Sequence, residues 1–125
     1  MKAPVSISEA ESVVLAVLWH SSPLATEAIV SALAREQDWQ ESTIKTLLGR
    51  LVKKGAVHAQ KDGRRHLYSP ILTREDWLSS ESEGLLERLF GGRVAPLVAH
   101  FSKHKKLSRK DVADLKRLIQ ELDGD

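Results

Sequence analysis

A mostly α-helical fold carrying one small β-hairpin is what these 125 residues predict, and three observations carry that reading. The stretch Asp38 to Gly55, DWQESTIKTLLGRLVKKG, repeats Ile44, Leu47, Leu48, Leu51 and Val52 at the steps that line one helix face. Two β-like runs follow, Ala56 to Gln60 and His66 to Pro70, on either side of Lys61-Asp62-Gly63-Arg64-Arg65, where Asp-Gly is a hairpin signal. Helix-start signals recur at Ser8-Glu9-Ala10-Glu11, Thr73-Arg74-Glu75-Asp76 and Ser108-Arg109-Lys110-Asp111. Helices ending in an amphipathic one, then a hairpin, make the layout of a winged helix-turn-helix.

The capping box at Ser8 predicts a helix from about Glu9 to His20 that buries Ala10, Val13, Val14, Val17 and Leu18, with Trp19 near its end. Ser21-Ser22-Pro23 breaks it, and Leu24-Ala25 forms a short strand against the wing. Thr26 or its neighbour opens a second helix to about Glu36, with Ile29 and Leu33 inward; Asp38-Trp39-Gln40 turns into the central helix. Gly55 ends that helix in the left-handed conformation a C-terminal cap favours, with Lys53 and Lys54 where the helix dipole attracts cations.

Beyond Pro70, the helix started by Thr73 contains Trp77, Leu78, Leu85, Leu86, Leu89 and Phe90 and ends at Gly91-Gly92. A shorter helix spans Pro96 to Lys103, and in the last helix Val112, Leu115, Ile119 and Leu122 repeat at coiled-coil spacing. Residues 1–72 therefore read as a winged-helix DNA-binding domain and residues 73–125 as a three-helix dimerisation domain. Three amphipathic helices appended to a compact domain have little core to face. A second copy supplies one, through Trp77, Leu85, Leu89 and Phe90 and through Val112, Leu115, Ile119 and Leu122. The alternative is that they pack back on their own N-terminal domain.

The net charge of +2 hides an uneven distribution. Residues 1–41 hold two basic and six acidic side chains, residues 42–70 seven and one, residues 71–92 two and five, residues 93–125 eight and five. The basic block coincides with the central helix and the hairpin, and a polyanion within about 8 Å feels that local charge rather than the total. On the helix, Ser42, Lys45, Thr46, Gly49, Arg50 and Lys53 form an outer face with cations, hydroxyls and no carboxylate; Lys61, Arg64 and Arg65 make the hairpin tip basic. Such a helix suits the major groove of double-stranded DNA, with the wing beside the phosphates.

Other chemistries find no footing. With no cysteine, disulfides, thiolate metal sites and cysteine nucleophiles are excluded. His100 and His104 stand at two-ligand spacing, but Lys103, Lys105 and Lys106 crowd them and no acidic partner sits at ligand spacing. No phosphate-binding loop, nucleophile elbow or paired-carboxylate arrangement is visible. No enzyme, metal or cofactor is expected. Met1-Lys2-Ala3-Pro4 lacks the apolar stretch of a signal peptide and no run is long enough to span a bilayer, so a cytoplasmic protein without membrane insertion is expected.

On these residues the chain resembles the penicillinase-repressor family, which includes the β-lactamase, methicillin-resistance and copper-transport repressors. The match covers Glu11 to Trp19, the Asp38 to Gly55 core, the wing to Tyr68, and Phe90-Gly91-Gly92, Leu97-Val98, Phe101 and Leu107-Ser108. The resemblance implies a dimeric repressor on palindromic operator DNA, often of its own operon, dimerised through C-terminal helices. By position it implies groove contacts from Ser42, Lys45, Thr46 and Arg50 and wing contacts from Lys61, Arg64 and Arg65. Lys45 and Arg50 are the best candidates for base or phosphate contact, since arginine can chelate guanine; Thr43 and Thr46 can donate to phosphate or set a methyl against thymine, and Gly49 allows close approach or is indifferent.

Three departures stand out. Gln40-Glu41 replaces the family's common Ser-Pro, which weakens the helix cap and sets a carboxylate near the DNA end of the helix. The β-lactamase-type members are cut at an Asn-Phe bond, where this chain has His100-Phe101, the candidate bond for a membrane sensor protease. Copper-responsive relatives carry a cysteine-rich tail, so copper sensing by that route is not expected. The function expected is that of a homodimeric operator-binding repressor; a ligand-released regulator and a winged-helix protein-association module are the alternatives.

Overall fold

The structure, a computed structural model, describes residues 6–124. Its elements are α1 (Glu9–His20), β1 (Leu24–Ala25), α2 (Thr26–Gln37), α3 (Glu41–Lys54), β2 (Val57–Asp62), β3 (Arg65–Pro70), α4 (Arg74–Phe90), α5 (Val94–Lys103) and α6 (Arg109–Asp123). They form two compact units divided between Ser80 and Glu81. No helix among the described residues is long and apolar enough to cross a membrane.

In the first unit α1, α2 and α3 converge on a core in which Leu15, Leu18, Ile29, Leu33, Ile44 and Leu51 are fully buried. The sheet has the antiparallel order β1-β3-β2, with Leu24 opposite Tyr68 and Val57 to Asp62 paired with Pro70 to Arg65. Both hairpin strands run further than the apolar pattern predicts, because backbone pairing continues through charged residues. Lys61 and Arg65 are therefore strand residues, and Gly63 and Arg64 alone make the turn. Gly63, at φ 65°, takes the first turn position, where positive φ is required in a II′ connection. Trp19 Nε1 donates to the Leu72 carbonyl at 2.8 Å and its ring lies 5.5 Å from that of Trp77, which ties the start of α4 to α1.

Three expectations are corrected. In α1 the buried apolar residues are Val14, Leu15 and Leu18, while Ala10, Val13 and Val17 are half-buried. That helix is apolar almost all round, so the pattern does not select a face. Val52 is 37% exposed; eight residues past Ile44 it has drifted roughly 80° off the buried stripe. Helix α5 begins at Val94 rather than Pro96, because the first turn of a helix leaves its amides without intrahelical partners and tolerates proline there.

The fourth member of the buried α1 stripe is Glu11, 1% exposed. Its carboxylate closes the capping box with Ser8, accepting from the Ser8 amide at 2.8 Å, and accepts from Lys54 Nζ at 2.5 Å; Nζ also donates to the Ser6 carbonyl at 2.8 Å. Lys54 thus turns inward from the last turn of α3. Burial pushes the Glu11 carboxyl up, but the Lys54 hydrogen bond, the Ser8 bonds and the Lys54 charge together hold it below its ordinary value.

None of the helices α4, α5 and α6, of which α4 enters the second unit at Glu81, fully buries a side chain among the described residues. Leu97, Val98 and Phe101 on α5 face Leu107, Leu115 and Leu118 across a cleft, and Leu89, Ile119 and Leu122 are exposed. Helix α6 opens with a complete capping box between Ser108 and Asp111.

A carboxyl whose folded pKa is depressed stabilises fully above its unfolded value, about 4.5, and loses that contribution as pH falls through the folded value. Glu11→Gln is expected to cost about 1–2 kcal/mol at neutral pH, a buried-pair loss reduced because Lys54 can reach water. Denaturant unfolding from pH 7 to pH 3 checks this: the wild type should lose stability in acid more steeply than the variant, and parallel curves would refute the assignment.

Candidate nucleic-acid interface

The core of the first unit fixes which side of α3 faces outward. With Ile44, Leu47, Leu48 and Leu51 buried, Ser42, Thr43, Lys45, Thr46, Gly49, Arg50 and Lys53 are exposed. Ser42, Thr43, Thr46 and Arg50 rim a shallow concavity whose floor is Leu47. Gln40 occupies the N-cap position and makes no side-chain cap bond, as expected of the Gln40-Glu41 replacement. Gly55, at φ 81°, ends the helix, with the Gly55 amide bonded to the Val52 carbonyl and the Ala56 amide to that of Leu51.

Not all of the basic block is available. Lys45 Nζ lies 3.0 Å from Glu41, one turn before it, so the outer face does carry a carboxylate. The carboxylate at this end of the helix is the one expected from Gln40-Glu41, and the i,i+4 spacing of Glu41 and Lys45 is the signal for their pairing. Arg65 pairs with Asp62 across the hairpin turn at 3.2 Å. Lys54 is spent on Glu11. Among the described residues, Arg50, Lys53, Lys61 and Arg64 form no ion pair. Thr46 Oγ1 donates to the Ser42 carbonyl at 2.9 Å, so its proton is committed to the helix backbone and its methyl and lone pairs face out. A Cβ built on Gly49 meets nothing within 4 Å. The chain's own packing therefore does not demand glycine there.

Of the other residues singled out from sequence, Trp77 packs against Trp19 in the first unit. Leu85, Leu89, Val112, Ile119 and Leu122 are exposed, and Phe90 and Leu115 are half-buried. The His100-Phe101 bond lies inside α5. The His100 and His104 rings stand 4.6 Å apart.

The penicillinase repressor family profile matches residues 7–121. The penicillinase repressor of Bacillus licheniformis is 32% identical over 97% of this chain and 94% of its own length. The methicillin resistance regulatory protein MecI of Staphylococcus aureus (strain N315) is 26% identical over 90% of this chain and 92% of its own. Among solved structures, the Bacillus licheniformis BlaI monomeric form in complex with the blaP half-operator superposes with a TM-score of 0.54 at 38% identity, over 61% of this chain and 93% of that one. A winged helix with an outward basic α3, together with a family profile that spans residues 7–121, places the chain in the penicillinase repressor family of DNA-binding transcriptional regulators.

Proposed function

We propose that the chain represses transcription as a homodimer, each copy laying α3 into the major groove at one half-site of a palindromic operator in the cytoplasm. The observation that carries this is the exposed face of α3, a concavity rimmed by Ser42, Thr43, Thr46 and Arg50, on a scaffold whose 38% identical relative was solved on a half-operator. Arg50, unpaired and long enough to chelate O6 and N7 of guanine, reads sequence. Lys53, Lys61 and Arg64 grip phosphates. Lys45 and Arg65 join them at little cost, since exposed pairs such as Glu41–Lys45 and Asp62–Arg65 are worth well under ~1 kcal/mol.

The first unit, to which the start of α4 belongs through Trp77 and which runs to Ser80, acts as the DNA-binding domain, and the second, from Glu81, as the dimerisation domain, through Leu85, Leu89 and Phe90 on α4 and Val112, Leu115, Ile119 and Leu122 on α6. Cleavage at His100-Phe101 by a membrane sensor protease would require α5 to unwind first, because the bond sits within its helical turns. Release by a small ligand is the second reading. It is favoured by a trough of about 550 Å³ between α1 and α2, lined by Val13, Ala16, Val17, Ala28 and Ala32, a size that suits small-molecule sites.

Selection of duplexes from a random pool tests the proposal: a palindromic consensus whose affinity falls steeply with salt is expected, and binding without consensus would overturn it. On that consensus, Arg50→Ala should lose ~1–3 kcal/mol of discrimination against random DNA. Lys61→Ala should weaken both alike and reduce the salt slope by about 0.9. Equal losses from the two would sink this division of labour. Gly49→Ala should raise stability by about 0.5–1 kcal/mol through helix propensity while weakening operator binding; unchanged affinity in an anisotropy titration would show the position to be indifferent. Ile119→Glu, on the exposed face of α6, should shift sedimentation from dimer to monomer, and a persistent dimer would place the interface elsewhere.

A further inference from the structure

The turn joining α5 to α6 carries the densest positive charge in the second unit. Lys103, Lys105, Lys106, Arg109 and Lys110 fall within eight residues that contain no carboxylate, and all five are exposed. Lys110 pairs with Asp114 at 3.0 Å; Lys103, Lys105, Lys106 and Arg109 form no ion pair among the described residues. The winged-helix reading does not use any of them.

The backbone adds an independent observation. Helices α3 and α5 end in the same two-bond motif: Ala56 to Leu51 with Gly55 to Val52, and Lys106 to Phe101 with Lys105 to Ser102. The left-handed position is Gly55 in the first, at φ 81°, and Lys105 in the second, at φ 57°. A residue with a Cβ is disfavoured in that conformation. Lys105, like Asp38 at the end of α2 (φ 57°), stands where glycine would fold more readily, and at the α5–α6 turn the side chain that takes this position adds a positive charge.

We propose that this turn is a second polyanion-binding surface, contacting the sugar-phosphate backbone of duplex flanking the operator. The inference rests on the repressor reading. Four free cations alone hold an anionic surface only weakly, with affinity on the order of millimolar. Where the turn reaches duplex already held by α3, the same contacts form at high effective concentration, so flanking DNA gains most from them.

The test uses the full chain, wild type and K103Q/K105Q/K106Q/R109Q, on the selected consensus duplex with and without about one helical turn of random sequence at each end. The wild type is expected to bind the longer duplex more tightly and with a steeper salt slope; the variant should bind the short duplex as the wild type does and lose the difference, about 0.9 in slope per contact removed. Lys105→Gly should raise Tm while making the slope on the longer duplex shallower. No flank advantage in the wild type, equal loss of both duplexes in the variant, or an unchanged slope in Lys105→Gly would overturn the proposal. Binding to phosphatidylserine vesicles that the variant loses, with flanks inert, would assign the turn to a lipid surface instead. A pool that yields no consensus sinks the repressor reading itself, whereas a consensus bound without flank advantage sinks this second contact alone.

Discussion

The contact on which the first unit depends is the carboxylate of Glu11, buried where three segments meet. It caps α1 through Ser8 and holds Lys54 at the last turn of α3, while Lys54 reaches on to the Ser6 carbonyl. One acidic side chain thereby fixes the far end of the helix whose near end carries Ser42 and Thr43. At that near end Gln40 supplies no side-chain cap. The helix is therefore held by its apolar stripe and by its C-terminus, and its first turn keeps backbone amides free for an outside acceptor.

A buried ion pair is an expensive way to join two helices unless the charge is well solvated by donors. Here the donors are a backbone amide and an ammonium, so the carboxylate stays ionised despite its burial. The same logic, run in reverse, governs the outer face. Lys45 and Arg65 are neutralised locally by Glu41 and Asp62, exposed partners that compete with water. Their pairing orders long side chains without locking them, whereas Arg50, Lys53, Lys61 and Arg64 are left for a ligand. Charge counted along the sequence overstates what the face offers, and charge counted after pairing shows where it is concentrated.

Much of this was legible in the residues, and the exceptions share a cause. Local patterns located α2, α3, the hairpin and the caps at Ser8 and Ser108, because capping boxes, glycine ends and helical spacing act over a few positions. Glu11 was read correctly as a cap, yet its partner Lys54 lies 43 residues away, and no local rule links them. The Trp19 bond to Leu72 spans 53 residues and escaped for the same reason. The burial of Leu15 instead of Val13 or Val17 was hidden by a helix with too many apolar residues, not too few. Conversely, Glu41–Lys45 and Asp62–Arg65 are local pairs that the charge pattern contained.

The second unit reverses the relation between pattern and packing. Its helices have clear apolar stripes, yet Ile119 and Leu122 are 56% and 78% exposed and none of α4, α5 and α6 buries a side chain completely among the described residues. Helical propensity and a capping box can hold α6 together locally, but isolated helices of this length are marginal in water. Burial of those stripes against a partner would add stability, at roughly 25 cal/mol per Å² of apolar surface. If a second copy covers these stripes, the folding of the unit becomes a function of protein concentration. Repression would then respond to any event that separates the copies, whichever chemistry performs it.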